Sequence, residues 1–194
     1  MANVKSAFYK IIEHLKEKEE HTSKILIGPA CENWLRSESN FALNFNKSEF
    51  GALKCNEFCY EENKKRDITI YSDSDDPTVT HAIEIKAIYP AGDGTINSKW
   101  LNKLHEQLSR APHSDETTKT SHIGLIFAIW TSTYNCTPRE YFKRLSSLIE
   151  SKFSSAIYTT QYKYKFRPII QETAIDWRES DMKVAMSALY IKRR

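Results

Sequence analysis

The chain has 194 residues, of which 40% are hydrophobic and 27% charged; this is room for one full-sized core and excludes disorder, collagen and coiled coil. Lys and Arg exceed Asp and Glu by only +3, so the total charge does not announce nucleic acid, and any basic surface has to be a local arrangement. No stretch approaches the roughly 18 apolar residues of a membrane span, and the start lacks an apolar leader block, so a cytoplasmic chain without a membrane partner is expected.

Ala7, Phe8, Ile11, Ile12 and Leu15 recur at helical spacing before a wholly polar stretch, predicting a helix over about residues 3 to 20. Pro29 suits the first turn of a short second helix that carries Glu32 and runs to Arg36. From Phe41 to Tyr60 aromatic and polar residues alternate loosely, predicting one or two irregular strands. The pattern then sharpens. Arg66 to Tyr71 and His81 to Tyr89 both alternate with period two, and a polar loop containing Pro77 joins them, which predicts an antiparallel hairpin.

Leu101, Leu104, Leu108 and Ala111 mark a helix over about residues 98 to 111. The run His122 to Trp130 is nearly all apolar, as in a strand covered on both faces, and a strand–helix–strand crossover sets it parallel to the preceding strand. Thr137-Pro138-Arg139-Glu140 is a capping box, opening a helix with apolar face Phe142, Leu145, Leu148, Ile149 and Phe153. Two late strands are predicted, near residues 161–167 and 183–191. With no internal repeat and no Gly-, Ser- or Pro-rich linker, the expected fold class is α/β, a single domain over residues 1–194 with a mixed central sheet flanked by helices.

Cys31, Cys55, Cys59 and Cys136 are expected as reduced thiols: a chain of this size needs no bridges, and Cys-x3-Cys without a second pair is a poor zinc signal. The histidines share no ligand spacing, and there is no nucleophile-elbow or phosphate-loop motif.

The chemistry is concentrated in the predicted hairpin. Alternate residues of a strand share a face, so Ile68, Ile70, Ile83 and Ile85 turn to the core while Asp67, Glu84 and Lys86 gather opposite. Two converging carboxylates repel unless a cation lies between them, and hard oxygens without His or Cys select Mg2+ or Mn2+. A neighbouring lysine suits phosphodiester hydrolysis, because an ammonium orients the attacking water or holds developing negative charge. The competing reading is a solvated sheet face with a cross-strand ion pair.

Asp67 followed by Glu84-Ile85-Lys86, each on an apolar strand, resembles the PD-(D/E)xK nuclease superfamily of restriction-endonuclease-like enzymes. The order helix, strands, helix, strand resembles its core over about residues 25 to 130, leaving the first helix and the late strands as additions. The resemblance implies that Asp67 and Glu84 bind metal, that Ile85 lends its backbone carbonyl and that Lys86 serves the nucleophilic water. Glu32 matches an extra acidic residue on the preceding helix, although capping electrostatics also favour Glu there. Arg66 stands where the motif has proline. Gln107, with Lys103 one turn before it, resembles the polar residue that some members aim at the site, against the reading as exposed helix surface.

Other acid-x-Lys tripeptides serve as controls. Glu62-Asn63-Lys64 reads as a charged loop and Glu150-Ser151-Lys152 as an exposed helix end. Asp181-Met182-Lys183 after Asp176 is the nearer rival, but the polar stretch from Arg178 to Asp181 is expected to break a hairpin there. Tyr162, Tyr164 and Phe166 alternate with Lys163, Lys165 and Arg167, either as an outer row of cations for phosphates or as an ordinary charged edge strand. The expected function is a Mg2+- or Mn2+-dependent endonuclease acting on DNA. The alternative is an inactive nucleic-acid-binding or immunity- or antitoxin-type interaction module on the same fold. A homodimer, with the first helix as its interface, follows by analogy from the need to cut two strands.

Overall fold

The computed structural model describes residues 4–28, 31–45, 57–61, 66–72, 77–110, 116–154, 158–160, 166–177 and 180–193. In chain order these form α1 (Val4–Glu17), α2 (Glu19–Ile25), α3 (Cys31–Phe45), β1 (Glu57–Glu61), β2 (Ile68–Ser72), β3 (Val79–Ile88), α4 (Lys99–Ser109), β4 (Glu116–Thr131), α5 (Pro138–Phe153), β5 (Tyr158–Thr160), β6 (Arg167–Trp177) and β7 (Ser180–Arg193). The class is α/β as the sequence predicts. One mixed sheet has the order β1-β2-β3-β4-β7, and β5 and β6 pair along the far edge of β7. β3 and β4 are parallel, joined by α4, and the other described pairs are antiparallel.

The sheet separates two cores, and β4 explains how. Ile123, Leu125, Phe127 and Ile129 face the core shared with α1 and α3, while Ile126, Ala128 and Trp130 face the core shared with α4 and α5. Both faces of β4 are therefore covered, which is why Ile123 to Trp130 carries no polar side chain but the Trp130 indole N–H. The capping box of α5 forms as predicted, with Thr137 accepting from the Glu140 backbone and the Glu140 side chain accepting from Thr137. The buried face of α5 is Tyr141, Leu145, Ile149 and Phe153. Tyr141 joins the predicted face, its hydroxyl donating to the Ile88 carbonyl at 2.6 Å, whereas the predicted Leu148 is exposed and Phe142 only partly buried.

Three stretches differ from the sequence reading. The first predicted helix is two helices, α1 and α2. Thr22 and Ser23 of the polar stretch are buried, since their hydroxyls donate to the Leu15 and Glu19 carbonyls. The second helix runs on to Phe45, not Arg36. Its inward face is Leu35, Ser39, Ala42 and Leu43, and Ser39 is tolerated there by donating to the Leu35 carbonyl at 2.6 Å. Of the strands predicted over 41–60, β1 is the one among the described residues; Pro29 lies outside them.

The late strands differ too: β7 outruns the predicted 183–191 at both ends, whereas β5 and β6 were not predicted, β6 meeting the expected 161–167 only at Arg167. β6 occupies 167–177 and forms a hairpin with β7, in which Asp176 faces Asp181 and Trp177 faces Ser180; residues 161–165 lie outside the described set. α1 lays Ala7, Phe8, Ile11, Ile12 and Leu15 on the chain's own sheet, so its apolar stripe is not the interface expected for a second copy. Cys31, Cys59 and Cys136 are free thiols; Cys55 lies outside the described residues. Among the described residues no helix is long and apolar enough to cross a membrane.

Candidate active site

The β2–β3 register pairs Ile68 with Ile83 and Thr69 with Ala82, so the next step of the ladder sets Asp67 opposite Glu84. Pairing stops there: Asp67 is a bend residue just before β2, not a strand residue as predicted. Beyond Ile83 the edge of β3 has no strand partner from β2, and carboxylates take its amides instead. Asp67 Oδ2 accepts the Ile85 N–H at 2.6 Å, and Glu32 Oε2 accepts the Ala87 N–H at 3.0 Å. Lys86 Nζ donates to the Ile85 carbonyl at 2.6 Å and lies 3.5 Å from Glu32 Oε1 and 3.9 Å from Asp67 Oδ2.

Glu32 is brought to this edge by α3. Cys31 Sγ meets the Tyr89 hydroxyl at 2.7 Å, and that hydroxyl donates to the Leu26 carbonyl at 2.9 Å. This pins the start of α3 to the end of β3. Arg36, one helical turn further on, lies between the carboxylates of Asp67 (3.7 Å) and Glu61 (3.6 Å).

Glu84 faces α4 and is 1% exposed. Gln107 Nε2 donates to its Oε2 at 2.6 Å, and Arg66 Nη1 approaches its Oε1 at 3.4 Å. Arg66 is itself 1% exposed. Its Nε and Nη2 fork onto the two oxygens of Glu116 at 3.0 and 3.2 Å, and Nη1 donates to the Gln107 carbonyl at 3.0 Å. Burial, and after it the charge of Asp67, push the Glu84 carboxyl up to about 7, against the cations Arg66 and Lys86.

Asp67, Glu84, Lys86, Glu32 and the Ile85 peptide thus meet at one place, with Gln107 among them. The reading of Gln107 as exposed helix surface is corrected: it is buried, because its amide supplies a hydrogen bond that the buried Glu84 requires. Arg66 and Glu116 were not singled out from the sequence. Arg66, read as the start of the alternating strand, lies just before β2, and nothing in that pattern marks a buried cation; Glu116 opens β4 in its polar first residues, where no pattern marks it. The replacement of the motif's proline by a long cation was the one available signal for Arg66.

The remaining residues lie elsewhere. Lys103 is exposed on α4. Arg167 does not join an outer cationic row: its guanidinium lies 5.4 Å from the Tyr9 ring and donates to the Tyr9 hydroxyl at 2.9 Å, because β6 turns it toward α1. Lys163 and Lys165 are outside the described residues, as is Glu62-Asn63-Lys64. Glu150 and Lys152 are exposed on α5, as expected. The Asp176 and Asp181-Met182-Lys183 pair does lie on a hairpin, contrary to expectation, but its charged residues face solvent.

The donor chemistry fits Mg2+ or Mn2+. Two carboxylates and a peptide carbonyl are all hard oxygens, and a carboxyl raised to about 7 by burial and, after it, by a neighbouring carboxylate is relieved by an added cation. Among the described residues no group of three or more His, Cys, Asp and Glu side chains is arranged to hold a metal, so an ion here would rest on two side chains and the Ile85 oxygen. Comparison with protein-family models, curated proteins and solved structures returned no match.

Proposed function

We propose that this chain is a Mg2+- or Mn2+-dependent endonuclease that hydrolyses DNA phosphodiester bonds, built on a restriction-endonuclease-like core of the PD-(D/E)xK kind. The observation that carries the reading is convergence on one peptide group. Asp67 accepts the Ile85 N–H, Lys86 donates to the Ile85 carbonyl, and Lys86 lies 3.9 Å from Asp67 Oδ2. Glu84 stands directly across from Asp67. The order from α3 to β4 (helix, three strands, helix, parallel strand) is in keeping with the core that the resemblance implies.

A divalent ion held by Asp67, Glu84 and the Ile85 carbonyl would supply a bound water of lowered pKa and polarise the phosphoryl oxygen. Lys86 has donors and no acceptor, so its ammonium would hold the oxygen of the attacking water or the charge developing on the phosphate. Glu32 and Asp67 fix where that ammonium points. Gln107 and Arg66 hold the Glu84 carboxylate from the α4 side. Lys103, exposed one turn before Gln107, would meet a backbone phosphate and make DNA binding fall with salt.

The test is a plasmid-nicking assay with Mg2+, Mn2+ or EDTA. Wild type is expected to nick only with metal, and Glu84→Ala and Lys86→Ala to lose about a hundredfold or more. Salt-sensitive DNA binding without cutting would replace this reading by the inactive nucleic-acid binder. Neither binding nor cutting of duplex, single-stranded or branched DNA would replace it by the interaction module.

A further inference from the structure

We infer that Glu116 is a positioning residue that parks Arg66: by occupying the guanidinium fork it prevents Arg66 from neutralising Glu84, and so leaves Glu84 able to take a divalent cation. This inference rests on the metal-dependent reading above. Three buried charges decide it. Arg66 and Glu84 are each 1% exposed, and the Glu116 side chain is 2% exposed. One guanidinium is shared between two carboxylates, and in such a setting the better hydrogen-bonded partner holds it.

Glu116 is that partner. It receives two parallel hydrogen bonds from Nε and Nη2 at 3.0 and 3.2 Å, while the Gln107 carbonyl takes Nη1 at 3.0 Å. What reaches Glu84 is the single 3.4 Å contact from the same Nη1. His122 Nε2 lies 3.7 Å from Glu116 Oε2, the oxygen that also accepts Arg66 Nη2. Glu84 is therefore oriented by Gln107 and grazed by Arg66, without being fully paired by either.

Neutralising Glu116 reverses the competition. The fork of Arg66 would lose its ionic partner, and the nearest carboxylate, already in contact, is Glu84. A closed Arg66–Glu84 pair is one that a metal has to break. Removing Arg66 together with the charge of Glu116 takes away both the competitor and its holder, and Glu84 keeps its Gln107 bond.

Mn2+ binding without DNA, followed by electron paramagnetic resonance on chains whose folding is checked by thermal melts, separates these states. Glu116→Gln is expected to bind Mn2+ about tenfold more weakly or worse, the usual cost of losing a group behind the ligands. The double variant Arg66→Gln/Glu116→Gln is expected to return to within about threefold of wild type, a recovery that a merely structural role of Glu116 does not produce. Wild-type affinity in Glu116→Gln, or a double variant as weak as the single, overturns the inference. If Glu116→Gln does not fold, Glu116→Asp takes its place, with weakened binding expected and unchanged binding overturning the inference. If wild type itself binds no Mn2+ at millimolar concentration, the metal reading fails first and this inference falls with it.

Discussion

Glu84 carries a stability signature that can be read without any substrate. Burial and the charge of Asp67 raise its carboxyl from an ordinary value of 4.5 to about 7, so between those values the folded chain holds a proton that the unfolded chain has released. The folded state binds more protons in that window, and stability therefore falls as pH rises through it; the full loss is roughly 3 kcal/mol. Urea unfolding in EDTA is expected to give a lower free energy at pH 8 than at pH 5, and Glu84→Gln is expected to lose most of that difference. A wild-type profile as flat as the variant's would show that Glu84 ionises freely when folded. The same residue marks the limit of what its sequence context conveys. Glu84 and Lys86 were legible because an alternating strand fixes their face, and Asp67 because it falls one step before the strand that pairs with theirs. Arg66 and Glu116 were not, because a charge buried by one distant fork leaves no periodic trace.

Between elements, the distance from α4 to the sheet is set at Gly124 of β4. A Cβ there would lie 3.1 and 3.2 Å from the two Leu104 methyls and 3.3 Å from a Leu108 methyl. A branched side chain has no room, so Gly124→Val is expected to destabilise by about 1–3 kcal/mol. Adding Leu104→Ala opens the space, and the double variant is expected to lose less in thermal or urea melts than the sum of the singles. Additive losses would mean that the crowding lies elsewhere. Since α4 also carries Gln107, this contact governs how closely its amide reaches Glu84. The elements that were legible, β2, β3, β4 and α5, have clean periods or a complete capping box. The second half of α3 was not, since Ser39 occupies a core position and interrupts the apolar stripe. Nor was β6: its register shifts twice against β7, and Glu172 adopts a positive φ of 55°, so period-two alternation is broken at the places where it would be sought.

At the scale of the whole molecule the site lies where the two helical layers meet around one sheet edge. Leu35 and Leu43 of α3 belong to the core on the α1 side, whereas Glu84 and Gln107 lie on the α4 side. Glu32 reaches from the first layer to Lys86, and it does so because β2 begins at Ile68 and leaves β3 uncovered beyond Ile83. Its carboxylate has two separable duties: an acceptor for the Ala87 N–H at 3.0 Å and a counter-charge 3.5 Å from Lys86. Gln keeps an acceptor and removes the charge; Ala removes both. The Glu32 side chain is 43% exposed, so water can replace it on the strand edge, and Glu32→Ala is expected to cost only about 1 kcal/mol. Glu32→Gln is expected to melt within a degree or two of wild type. In the nicking assay, however, both variants should fall together by about tenfold or more, since each leaves Lys86 with only one of the two charges that aim it. If Glu32→Gln cuts as well as wild type while Glu32→Ala is merely less stable, Glu32 only caps an unpaired strand edge, and the layer carrying α3 contributes architecture alone to the chemistry.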